Sequence, residues 1–284
     1  MAVNVPEVRV DSLLPPEMAK KAEAVGVKKA TMPPMRLFML GVLAGAFIGL
    51  GAVFATVVAT GGAALPYGVK KMLIGFVFCL GLILVVVGGA ELFTGNNLIM
   101  MAWAHRRITT RQLLYNWVIV YLGNFVGSIG TALLVFLAEQ YMQAQGSVGL
   151  TALTIANGKC GLDFLPAVAL GTLCNAMVCM AVWLTLSART TTDKILAILF
   201  PIAGFVAAGF EHSVANMYFI SEGLFIKMWA KPAFWEAIGK SASDFANLTW
   251  GNFFLANLLP VTLGNILGGG VLVALVYWFI FLRE

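Results

Sequence analysis

Apolar residues fall in long blocks along this chain, and polar residues are pushed into short gaps between them. Windows of about 20 predominantly apolar residues, the length that crosses a hydrocarbon core of about 30 Å, occur six times. They cover roughly residues 36–60, 70–103, 112–139, 164–187, 194–229 and 250–281. The second and fifth are too long for one helix, and polar stretches interrupt them. In the second, MLIGFVFCLGLILVVV runs into GGAELFTGNN and then LIMMAWA. Seven residues at 1.5 Å each reach only about 10 Å, so that last piece cannot cross a bilayer alone. In the fifth, GFEHSVAN breaks the run in the same way. The pattern predicts an all-α membrane protein with six spans, two of them broken.

Composition agrees. The chain of 284 residues is 60% hydrophobic and 11% charged, against about 25% charged in soluble domains. The net charge of +5 does not point to nucleic acid, because the basic residues flank the spans. Arg9, Lys20, Lys21, Lys28, Lys29, Arg36, Arg106, Arg107, Arg111, Arg189, Lys194 and Arg283 make twelve on one side. Lys70, Lys71, Lys159, Lys227, Lys231 and Lys240 make six on the other. That bias predicts cytoplasmic N- and C-termini. The first 36 residues are polar and mixed in charge, and do not read as a signal peptide. Cys79, Cys174 and Cys179 fall inside spans and Cys160 in a loop, which reads as small buried residues rather than a disulfide framework.

Residues 1–35 read as a cytoplasmic tail carrying an amphipathic helix, and 36–284 as the six-span transmembrane domain. Within DSLLPPEMAKKAEAVGVKKA, Pro16 lies near a helix start, Glu17 in its first turn and Gly26 near its end. Met18, Ala22 and Val25 share one face with lysines opposite, as in an interfacial helix. A gating role and a plain surface cap both fit that pattern.

The two halves repeat. ELFTGN (91–96) matches EHSVAN (211–216), with Glu first and Asn sixth. YLGNFVG (121–127) matches TLGNILG (262–268), and LAGAFIG (43–49) aligns more weakly with ALGTLCN (169–175). Three spans per half is odd, so the halves enter the membrane from opposite faces, an inverted 3+3 repeat whose broken helices meet near the midplane. Irregular backbone at that depth requires a cavity or protein around it.

His212 is then the central candidate. It lies at a break, in the membrane, where an ionisable group is costly unless functional. The only other histidine, His105, sits beside Arg106 in a loop, and no second His or Cys near His212 has metal-ligand spacing. No metal and no cofactor is expected. Glu91 and Glu211 are equated by the repeat, and free N–H groups at half-helix N-termini are expected to anchor them. Phe205 precedes His212 by seven residues, about two turns, and shares its face. Asn175 and Asn265 are polar residues in apolar spans and read as glue between helices. Gly264 and Gly268–Gly270 suit close helix packing.

The motifs GGAELFTGN, LGTLCNAMVCMAVW, GFEHSVANM and PVTLGNILGGG, with LLPPEMAKKAEAVGVKKA and YWFIFLRE at the ends, resemble the formate–nitrite transporters, most like the formate-channel branch. The resemblance covers essentially the whole chain. It implies an aquaporin-like subunit fold, a homopentamer with one pore per subunit in a bacterial inner membrane, formate as substrate and no enzyme activity. By the same resemblance His212 is the central pore histidine and Thr94 its hydrogen-bonding partner. Phe78 and Phe205 form the outer constriction, and Leu82, Leu92, Asn175, Val178 and Asn265 the inner slit. Lys159 belongs to the outer vestibule. After it the chain reads KCGLDF, where the family pattern is richer in histidine.

The chemistry suits formate, nitrite or hydrosulfide, all conjugate bases of small weak acids. Dehydrating an anion between aromatic rings is costly. A pore histidine lowers that cost either by giving a proton to the anion or by donating a hydrogen bond from its neutral form, with Glu211 setting the local electrostatics. A neutral-solute pore of the aquaporin type would carry NPA repeats at its breaks, where this chain has TGN and VAN. A membrane enzyme would need more interacting polar groups than one His–Glu pair. The expected partners are small anions, protons, the lipid bilayer and four further copies of the chain.

Overall fold

A computed structural model describes residues 12–61 and 65–283. Helix α1 (Pro15–Ala30) precedes α2 (Pro34–Ala59) and α3 (Tyr67–Gly88). A break follows, then a 3₁₀ turn (Gly95–Ile99) and the short α4 (Met100–Ala104). Next come α5 (Thr110–Leu137), α6 (Ser147–Cys160) and α7 (Phe164–Ser187). Helices α8 (Thr191–Ala207) and α9 (Ser213–Trp229) flank the second break. After α10 (Pro232–Ile238), residues 250–281 form one helical run. It comprises α11 (Trp250–Asn252), α12 (Leu259–Asn265) and α13 (Val276–Phe281), joined through π-helical segments.

Each element has a local cause. Thr109 and Thr190 cap α5 and α8 by accepting from the N–H groups of Gln112 and Asp193, whose side chains return the bond. Helices α2, α3, α5, α7 and the final run are long and apolar enough to cross a membrane. Helices α8 and α9 have 17 residues each, about 26 Å at 1.5 Å per residue, shorter than a hydrocarbon core of about 30 Å.

The outward faces of the long helices are apolar: Leu134, Leu165, Phe200 and Leu255 are each at least two-thirds exposed, as suits a lipid-facing surface. Inside, small residues let backbones touch. A Cβ on Gly127 would stand 2.0 Å from the Val42 carbonyl, and one on Gly268 2.0 Å from that of Thr172.

Two expectations are corrected here. Cys160 is not in a loop but ends α6 and is buried. The connection between the third and fourth spans, read as loop, folds into that helix, which packs on α9. Helix α1 keeps Lys20, Lys21 and Lys28 exposed and buries its opposite face. It packs on the 95–99 turn, α4 and α7, burying Met18, Ala19, Ala22, Gly26 and Ala30. Lys21 donates to the Leu186 carbonyl at 2.7 Å, and Lys29 reaches into the first break.

Candidate functional site

Helix α3 stops because Gly89 turns left-handed (φ 79°), and the same conformation at Gly209 (φ 76°) follows α8. Beyond each glycine the chain must satisfy backbone groups without a helix ladder. One asparagine does this at each break. Asn124 Oδ1 accepts from the Phe93 N–H at 2.9 Å, while its Nδ2 donates to the carbonyls of Gly41 and Glu91. Asn265 Oδ1 accepts from the Ser213 N–H at 3.0 Å, and its Nδ2 donates to the carbonyls of Gly171 and Glu211. An amide suits this work because it is acceptor and double donor at once.

The break carboxylates are matched too. Glu91 pairs with Lys29 at 3.0 Å and accepts from Asn96 Nδ2 at 2.8 Å. Glu211 pairs with Lys159 at 2.8 Å and accepts from Asn216 Nδ2 at 2.6 Å. Asn96 and Asn216 also donate to Asn116 and Asn257, which return to the backbone carbonyls of Lys29 and Lys159. The expected anchoring of Glu91 and Glu211 by half-helix N–H groups is therefore replaced by Lys–Glu–Asn networks. A lysine ammonium carries a full charge to match a buried carboxylate, whereas peptide N–H groups alone offer only partial charge.

These duplicated contacts also correct a register. The Glu91 N–H donates to Leu40 O and the Glu211 N–H to Leu170 O. Leu40 and Gly41 therefore correspond to Leu170 and Gly171, and the weak alignment of 43–49 with 169–175 is off by four residues, one helical turn.

His212 is the N-cap of α9. Its Nδ1 accepts from the Ala215 N–H at 3.0 Å, and its Nε2 lies 2.9 Å from Thr94 Oγ1. The ring is 3% exposed and stacks on Phe205, with centroids 6.0 Å apart. Because Nδ1 is an acceptor, the neutral ring carries its hydrogen on Nε2 and donates to Thr94. The Thr94 hydroxyl then keeps its own hydrogen for another acceptor. The Thr94 carbonyl is held by Asn175 Nδ2 at 3.2 Å and by the Cys179 thiol at 3.3 Å.

Phe78 and Phe205 meet edge to face at 5.9 Å. With His212, Lys159 and Glu211 they line a cavity of about 790 Å³ that also reaches Lys70 and Lys71. Three lysines against one carboxylate, itself paired, make this cavity attractive to anions. Leu82, Leu92 and Val178 are buried in the core, not on this cavity. Asn175 and Asn265 are fully buried. Asn175 bridges Thr94, Asn97 and the Asn265 carbonyl, so both amides are committed to backbone and neighbouring side chains.

Several site residues escaped sequence reasoning. Asn96 and Asn216 are equated by the repeat, and Asn124 lies inside its matched motif, but the motifs give none of the three a role. Lys29 becomes visible only in the corrected register, which equates it with Lys159. Outside the site, Glu222 is 4% exposed, with Oε2 unpartnered among the described residues.

The chain matches the sequence model of the family described as "Formate/nitrite transporter" over residues 16–279. It is 49% identical over 274 residues to the formate channel FocA of Escherichia coli strain K12, covering 96% of each chain. To the formate channel FocA of Haemophilus influenzae it is 45% identical over 260 residues, 92% of each. A solved pentameric formate channel with formate bound superimposes with a TM-score of 0.82 at 44% identity, covering 88% of this chain and 98% of that one. An FNT family ion channel gives 0.79 at 29% identity, covering 93% and 98%. The glycine-broken helices, their Lys–Glu–Asn networks and the histidine between them thus sit in a multi-pass membrane protein that belongs to the formate/nitrite transporter family.

Proposed function

We propose that the protein conducts formate and related small monovalent anions, one pore per subunit of a homopentamer. The observation that carries this reading is the basic cavity closed by Phe78, Phe205 and His212, with Thr94 beneath the imidazole. The similar solved channel, pentameric with formate bound, supports both substrate and assembly. The lysines gather the anion, and the aromatic pair strips its water. His212 donates to Thr94, and the Thr94 hydroxyl offers its hydrogen to the passing carboxylate. Leu82, Leu92 and Val178 form the apolar exit, with Asn175 and Asn265 holding the backbone around it.

In this reading the anion crosses beside a neutral imidazole. A second proton would have to occupy Nδ1, where the Ala215 N–H now points. Protonating the anion from His212 therefore requires the first turn of α9 to release its cap, which couples proton transfer to a backbone change. The duplicated contacts at the two breaks support an inverted 3+3 repeat of aquaporin-like form. The Lys and Arg bias supports an inner-membrane orientation with cytoplasmic termini.

Reconstituted protein tests the reading. Currents carried by formate and nitrite should exceed those carried by acetate and chloride, and a neutral solute such as glycerol should not permeate. Equal conduction of glycerol and formate would overturn it. Light scattering in detergent should give five copies per particle, and a monodisperse monomer would contradict the assembly. Reporters fused to either end should be active only on the cytoplasmic side.

A further inference from the structure

Away from the pore, a cavity of about 910 Å³ opens between α1, the turn after α4 and the end of α13. Three cations line it, Lys20, Arg107 and Arg283, and one carboxylate, Glu23. That carboxylate is already engaged. Its Oε2 takes His105 Nδ1 at 2.9 Å, and its Oε1 takes Arg107 Nε. Arg107 thus keeps its terminal N–H groups for another acceptor. Among the described residues no carboxylate pairs with Lys20 or Arg283. The Arg283 guanidinium is held over the Phe279 ring at 4.9 Å.

The turn is built to present these groups. Arg106 adopts a left-handed backbone (φ 59°), which non-glycine residues seldom take without compensation. The chain reverses there, so that His105 and Arg107 both reach Glu23. The Arg107 N–H closes the turn on the Ala102 carbonyl at 2.8 Å. Beside the charges lie Phe281 and Leu282, where the last span ends.

Two guanidinium groups and an amine with one neutralised carboxylate between them suit an acceptor carrying several oxygens and full negative charge, which is a phosphate. The cavity holds more than a bare phosphate, Ala24, Val27, Phe281 and Leu282 add apolar lining, and it lies at the end of the last helix, where lipid headgroups would sit. Basic pockets of this kind between spans take anionic headgroups. We propose that this cavity binds a phosphate group, in the membrane that of an anionic phospholipid. Bound there, it clamps α1 onto the α4 turn and the end of α13. Lys29, at the last turn of α1, pairs with Glu91, so the clamp bears on the first break of the pore.

The full-length protein, purified and delipidated, tests this by amide hydrogen exchange in α1. Phosphatidylglycerol mixed into phosphatidylcholine should slow α1 exchange several-fold relative to phosphatidylcholine alone, because a ligand that binds only the docked form stabilises it. The exposed double variant Lys20→Gln/Arg283→Gln should lose that protection. A charge-matched variant outside the cavity, Lys28→Gln/Arg111→Gln, should keep it. A parallel arm adds inorganic phosphate to phosphatidylcholine. Protection by phosphate alone, lost in the cavity variant, would keep the phosphate site and identify a soluble ester as its occupant. Protection by neither, or equal loss in both double variants, would overturn the proposal.

Discussion

Replacing His212 by phenylalanine keeps a ring that can stack on Phe205, yet removes both nitrogens. The Ala215 N–H then has no cap, a loss of about 1 kcal/mol in typical helices. The Thr94 hydroxyl loses its partner in a buried site, a further cost of about 1–3 kcal/mol. The apolar surroundings suggest that phenylalanine is tolerated, but the hydrogen bonds at 3.0 and 2.9 Å predict a loss of about 2–4 kcal/mol. Asparagine behaves differently. It is among the best N-cap residues, so it satisfies Ala215, but its shorter side chain does not reach Thr94. His212→Asn should therefore exceed His212→Phe in stability by about 1 kcal/mol, the worth of the cap. For transport, the bond from the Thr94 hydroxyl to the anion is worth about 1.5–3 kcal/mol, and without His212 to orient that hydroxyl its loss lowers flux by up to roughly ten- to a hundred-fold. Formate flux into proteoliposomes between pH 5 and 8 measures this, with size exclusion first confirming intact assembly. We expect the Phe variant to be slowest and the Asn variant to be intermediate with a flat pH profile. A Phe variant that moves formate at the wild-type rate and pH dependence would make His212 a structural cap and nothing more. A Phe variant as stable as the Asn variant would refute the capping argument.

Other perturbations probe the surrounding network. Lys159→Met leaves Glu211 buried without its cation and should destabilise by about 3–5 kcal/mol; adding Glu211→Gln should recover most of the stability in thermal unfolding while formate flux stays low. Glu222→Met replaces a buried carboxyl with an unpartnered oxygen by an adaptable apolar chain and should stabilise by about 1–3 kcal/mol; a lower melting temperature would mean that the acid has a partner. Burial raises the affinity of the Glu23 carboxyl for a proton, but hydrogen bonds from Arg107 and His105 more than offset this, and its pKa lies below the ordinary value. A depressed folded-state pKa contributes stability that is present above the unfolded value, about 4.3, and lost as pH falls through the folded one. Protection of the α1 amides relative to their intrinsic exchange rates should therefore be full above about pH 4.3 and fall below it, and Glu23→Gln should remove that acid sensitivity.

The long apolar helices and the two breaks were legible in the sequence because lipid imposes a length. A 20-residue apolar block can do little but cross, and GGAELFTGN and GFEHSVAN can do little but interrupt. The exceptional position of His212 was legible for the same reason, since an ionisable group inside such a block is rare. The pairing of Glu91 with Glu211 and of Asn96 with Asn216 could be read from two matched motifs. What holds those carboxylates could not. Lys29 and Lys159 lie 62 and 52 positions before their glutamates, and only the docking of α1 and α6 brings them within 3.0 and 2.8 Å. The register of the weakest repeat was likewise open to the tertiary structure, because glycine-rich helical stretches align almost as well one turn apart. The backbone contacts of Leu40 and Leu170 select the true one. The role of each His212 nitrogen depends on where α9 begins and where Thr94 falls, 118 residues away. Residue types and apolar length thus carry the architecture, whereas hydrogen-bond partners are directional and short-ranged and emerge only once distant segments are packed against one another.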